Sequence, residues 1–194
     1  KVGPGIMDGA RSVRVSNGAA LADLFDQPSL ADPIQSRIAR WHVSESRYFS
    51  SGKVELVGEL SLQDTLKPLV LKQAVPRPKE QMQPRYTGLV VDARGTGVLP
   101  CYVPVIRNFK GEAIHSSVLW EDSVLQRTPV IYVADPADAA SVRAGDSPFF
   151  VRAERADGTE LFLGKTESLR FQTAIQGSDV LGEGRVVIVV SGDD

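Results

Sequence analysis

The longest apolar-rich run flanked by strong turn signals is 86–106, which reads YTGLVVDARGTGVLPCYVPVI. Leu89, Val90 and Val91 are consecutive, so the strand they predict is apolar on both faces and needs cover on both. RVVIVV at 185–190 is a second run of this kind and predicts a central strand. Gly95 and Gly97 break the first run, and the chain resumes at 101–106. Pro100 and Pro104 lack an N–H, which assigns that second segment to a sheet edge or a bulge.

Alternation marks two of the other strand regions, and turn signals bound the rest. Residues 11–16 form a short one, ended by Asn17-Gly18. Residues 42–49 and 53–62 form the clearest hairpin, turning at Ser50-Ser51-Gly52. In its second strand Val54, Leu56, Leu60 and Leu62 share one face. Glu55, Glu59 and Ser61 share the other, with Val57 among them, which predicts one buried and one wet face. Residues 112–119 are a return strand to the proline-bearing one, 130–134 another strand, and 149–155 with 160–163 a second hairpin across Asp157-Gly158.

Helical spacing is sparser. Asp32 as N-cap and Pro33 at the first helical position start a helix whose stripe is Ile34, Ile38 and Trp41. Asp135-Pro136 repeats that start signal before a short helix at 137–144, with Gly145 as its C′ residue. Residues 166–176 are weakly helical, and 65–74 fit a helical turn or a strand. Residues 1–9 are glycine-containing and expected to be poorly ordered at their start.

These elements predict an α+β chain of two small lobes, each a mostly antiparallel sheet with one or two packed helices. The first lobe spans 10–74 and the second 86–191. Residues 75–85 hold Pro76, Pro78 and Pro84 among charges and form an extended linker that can bury little.

Composition narrows the function classes. At 194 residues and net charge −2, with both signs scattered, the chain has no basic footprint for nucleic acid and no run of membrane-spanning length. A chain of this size buries roughly 70% of its unfolded surface, so it needs no disulfide. Cys101 is the single cysteine, which excludes an intrachain disulfide or a cysteine-based metal site. It lies in an apolar run, where a thiol is ordinarily inert.

Gly95-Thr96-Gly97 follows a strand, as a nucleotide loop would. Pro100 stands where a third glycine is needed, and a strand follows in place of a helix, so these glycines make a structural turn. Asp92 and Arg94 fit a turn cap and an ion pair. His42 and His115 are the two imidazoles, and neither lies near a nucleophile elbow. Glu55 and Glu59 share a strand face about 13 Å apart, too far for a glycosidase pair at up to about 9.5 Å. No catalytic residue, cofactor or metal ligand is assigned.

The block YTGLVVDARG at 86–95, with Gly97, Pro100, Pro104 and Ile106, resembles bacterial cell-envelope lipoproteins, a family that includes the FlgP flagellar lipoproteins. Ser12 to Val15, Arg47-Tyr48 through Leu56, Gly145 to Pro148 and the closing RVVIVV fall in the same order. In the following turn Asn108 stands where relatives carry Asp, and Val105 where a basic residue is common. The resemblance implies export to the periplasm or the inner face of the outer membrane. It implies a lipid anchor upstream of Lys1 as the membrane attachment, and partners that are copies of the chain or other envelope proteins. It carries no catalytic residue.

Two functional expectations follow. One is a non-catalytic envelope assembly protein, flagellum-related and oligomeric, using the edge at Cys101, Val103 and Val105 as its interface. The other is a binding module for a small molecule, glycan or peptide, with Arg94 and Trp120 at a cleft between lobes.

Overall fold

A computed structural model describes residues 3–16, 18–66, 85–115, 128–175 and 180–192. The fold is α+β, as the patterning predicts. Contacts divide it into two units: 1–15 with 19–72, and 16–18 with 73–194. The division at 72/73 falls just ahead of the expected linker, most of which lies outside the described residues.

In the first unit α1 (Gly3–Arg11) takes up most of the glycine-containing segment, whose first two residues lie outside the described ones. Helical spacing puts Ala10 inside the fold, and the Ile6 side chain fills the space a Cβ on Gly58 would need. A small ribbon follows, β1 (Arg14–Ser16) with β2 (Ala19–Ala20), and then the short α2 (Leu21–Leu24).

Next comes α3 (Pro28–Ile38), which starts one turn earlier than Asp32-Pro33 suggests. Gln27 is its N-cap and Pro28 takes the first position, where a missing N–H costs nothing. Pro33 is inside the helix, and its carbonyl accepts from the Arg37 guanidinium at 3.0 Å. Leu30, Ile34 and Ile38 are its buried stripe.

The hairpin of β3 (His42–Tyr48) and β4 (Val54–Glu59) turns as predicted, with Gly52 at φ +80°. A bulge lies between Val43 and Glu45. The short α4 at 62–66 completes the unit.

The second unit holds a seven-stranded mixed sheet. Its strands are β5 (Leu89–Asp92), β6 (Val105–Arg107), β7 (Ala113–His115), β8 (Ile131–Val133), β9 (Phe149–Asp157), β10 (Glu160–Leu163) and β11 (Val186–Val189). They lie in the order β7-β6-β10-β9-β5-β11-β8. The neighbours β9, β5, β11 and β8 run parallel, and so do β6 and β10. The hairpin β9–β10 and the pair β6–β7 are antiparallel.

Parallel pairing therefore dominates this sheet, against the mostly antiparallel expectation. The physical reason is visible in β5 and β11, whose residues are apolar on both faces, as parallel strands under cover from both sides require. On one face Leu89, Val91, Val151, Val186 and Ile188 pack with Phe171 and Ile175 of α5 (Lys165–Ile175). On the other, Val90, Val187 and Val189 pack with Ala139 and Ala144. Ala144 ends a π-helical turn (Ala140–Ala144), and Gly145 follows at φ +74°.

That turn lies against the backbone at Gly88, where a Cβ would come within 2.6 Å of the Ala144 Cα. The Thr87 hydroxyl donates to the Ala144 carbonyl at 2.7 Å and accepts the Ser147 N–H at 3.0 Å, fastening the turn to the start of β5.

Candidate functional site

Two surfaces stand out among the described residues. The first is an open cleft of about 630 Å³ within the second unit. Its wall is the turn after β5 (Arg94, Gly95, Thr96), the middle of β9 (Arg152 to Glu154) and the start of α5 (Gly164 to Glu167). Sheet order brings these together: β5 and β9 are adjacent and parallel, with Asp92 in register with Arg152.

Arg94 forks onto Asp92 through two bonds of 2.9 Å and caps it with its own N–H at 3.1 Å. That hydrogen bonding holds the Asp92 carboxyl below its ordinary range. The expected turn cap and ion pair are both present, and Gly95 and Gly97 take the positive φ of a turn, +76° and +71°. Arg152 and Lys165 make no ion pair among the described residues. Glu167 is held by Arg170 at 2.8 Å. The cleft thus holds two cations, Arg152, whose charge also acts on Asp92, and Lys165, beside the carboxylate of Glu154.

His42 is exposed on the first-unit hairpin, 3.8 Å from Glu59. His115 is fully buried, and burial holds its imidazole down to about 4, so it is neutral at pH 7. Cys101 is buried, and the Tyr132 hydroxyl accepts its N–H at 3.1 Å and donates to its carbonyl at 3.0 Å. No group of three metal-ligating side chains occurs among the described residues. No helix among them is long and apolar enough to cross a membrane.

The expected interface at Cys101, Val103 and Val105 is corrected by this geometry. Cys101 and Val103 are buried. The strand is confined to β6, which starts at Val105 and has β7 on one side and β10 on the other. The two prolines keep 100–104 out of the ladder, and the Tyr132 phenol pins that segment, so no free edge remains. Of the pair expected at a cleft between lobes, Arg94 lines this different cleft within the second unit, and Trp120 lies outside the described residues. Arg152 and Lys165 escaped the sequence reading because only the order of strands in the sheet places them beside Arg94.

The second surface is the β3–β4 hairpin. Every residue of β3 is exposed. Register puts Tyr48 opposite Val54 and Ser46 opposite Leu56 on one face. Ile6 and Trp41 cover this face at Gly58, but beyond that Tyr48 is 80% exposed, Val54 50%, Val43 43% and Leu56 39%. The opposite face carries Glu45, Arg47, Glu55 and Glu59, with Arg47 bonded to Glu45 at 2.7 Å. Val54 and Leu56 share a face as expected, but β4 ends at Glu59, so Leu60 and Leu62 do not continue it, and the face expected to be buried is largely exposed.

A family model for the second domain of Treponema pallidum Tp0624 matches residues 88–192, more than half of the chain. The chain belongs to that family. No curated protein matches it. The Tp0624 second-domain match begins at Gly88 and ends just past β11, so it takes in the whole seven-stranded sheet, α5 and the cleft. The β3–β4 hairpin lies outside it.

Proposed function

We propose that this chain is a non-catalytic structural protein of the bacterial cell envelope that works by associating with copies of itself. The observation that carries the reading is the uncovered apolar face of the β3–β4 hairpin, with Tyr48, Val54 and Leu56 in solvent. A two-stranded sheet with a bare apolar face is marginal alone and gains by covering that face. The envelope setting, an upstream lipid anchor and a flagellum-related role rest on the resemblance of the YTGLVVDARG block to the FlgP-containing lipoproteins. Light scattering from 1 µM to 1 mM (about three decades, enough to span a micromolar dimer) tests the association. A mass that rises with concentration supports it, and a monomer throughout refutes it.

A second reading belongs to the cleft. Arg152, Lys165 and the first turn of α5 line the same open space, an arrangement suited to an anionic group on a small ligand. Titrating the protein with inorganic phosphate while following the amide resonances of 164–167 tests it. Unmoved resonances at millimolar phosphate refute it.

A further inference from the structure

We propose that two copies of this chain join along the outer edge of β3, antiparallel, with Ser46 opposite Ser46 of the second copy. The inference rests on the self-association reading above and adds the edge and the register.

β3 is paired to β4 on one side, and no described strand lies on its other side. The Phe49 N–H donates inward to the Lys53 carbonyl at 2.9 Å. In an antiparallel ladder the bonding groups alternate in direction, so Arg47 and Glu45 also bond inward. The N–H and C=O of Ser46 and Tyr48 therefore point away from β4. A strand laid outside β3 meets them, and in the proposed register Ser46 exchanges both bonds with its own counterpart.

Charge fixes that register. β3 reads Glu45-Ser46-Arg47, an acid and a base either side of a small residue. A two-fold axis at Ser46 places Glu45 opposite Arg47 of the second copy, and Arg47 opposite Glu45 of the second copy. Both pairs fall at non-hydrogen-bonded positions, where backbones approach to about 4.5 Å and side chains are nearest. In one copy the two groups satisfy each other, at 2.7 and 3.0 Å and about half exposed. Across the axis each gains a partner on the neighbouring strand.

The other face gains as well. Tyr48, Val54 and Leu56 of each copy lie on the same side of the joined strands, so the two apolar hairpin faces become one across four strands. Proline would block such pairing, and β3 has none; its bulge between Val43 and Glu45 confines the new ladder to the regular stretch at 45–48. A two-fold interface must be complementary to itself, and Glu-Ser-Arg is.

The test uses the full chain. Glu45→Arg alone and Arg47→Glu alone set like charges opposite each other, and each weakens dimerisation by about tenfold or more at low salt. Mixing the two variants in equal amounts restores a dimer, because each now faces its opposite. Mixing cannot rebuild a pair within one chain, so the rescue reads the interface alone. Ser46→Cys forms an intermolecular disulfide under mild oxidation, whereas Glu55→Cys on β4 does not; wild type, with Cys101 buried, is the baseline. A wild-type dimer lacking the rescue or the Ser46→Cys cross-link overturns this edge and register while self-association stands. A wild type that stays monomeric overturns both.

Discussion

His115 makes the stability of the larger unit depend on pH between 6.5 and about 4. Its side chain is fully buried on β7, and burial lowers its imidazole from 6.5 to about 4. As pH falls through 6.5 the unfolded chain takes up a proton and the folded chain does not. Stability is therefore complete above 6.5 and is lost as pH falls toward 4, at up to 1.4 kcal/mol per pH unit. Over the whole window the loss is roughly 3 kcal/mol. Below about 4 both states carry the proton and the histidine adds no further change.

Asp92 and Glu160 behave differently. Hydrogen bonds from Arg94 and Arg107 hold them below their ordinary values of 3.8 and 4.5, so what they contribute is lost only in more acid solution. Urea unfolding followed by circular dichroism at half-unit pH steps from 7.5 to 4.5 (about the histidine window) measures the slope. His115→Leu flattens it. A wild-type stability that does not change across this window refutes the argument. So does an equal slope in the His115→Leu variant.

Other outcomes follow from single contacts. Gly88→Ala drives a Cβ into the Ala144 backbone, which cannot swing aside as a side chain can, and costs about 3 kcal/mol in urea unfolding. Leu161→Ala empties a fully buried position on β10 and costs about 3 kcal/mol by the same assay. Tyr132→Phe strips the Cys101 backbone of its phenol partner, costs about 1–3 kcal/mol, and exposes the thiol to faster alkylation by iodoacetamide.

Much of the fold could be read from residue order because burial leaves a local signature. β5 and β11 announce themselves as apolar on both faces, and the β9–β10 hairpin turns at Gly158, φ +57°. Strand direction was harder to read. Whether Leu89 meets Phe149 in a parallel or an antiparallel neighbour depends on chain routing, and nothing near Leu89 encodes it. The 100–104 segment misled for a related reason: two prolines exclude a ladder position, but they say nothing of Tyr132, 31 residues away, which takes the Cys101 backbone. For the hairpin, period two shows that Val54 and Leu56 share a face. It cannot show what, if anything, lies over them.

The claim on which the account turns is that this bare face brings copies together, and sedimentation equilibrium of wild type beside a Tyr48→Ser/Leu56→Ser variant tests it most directly. The account predicts a wild-type mass climbing from 21.0 kDa toward twice that value with concentration, and a variant that keeps its fold and stays at 21.0 kDa. A wild type at 21.0 kDa across the whole range, or a variant that associates as wild type does, contradicts it.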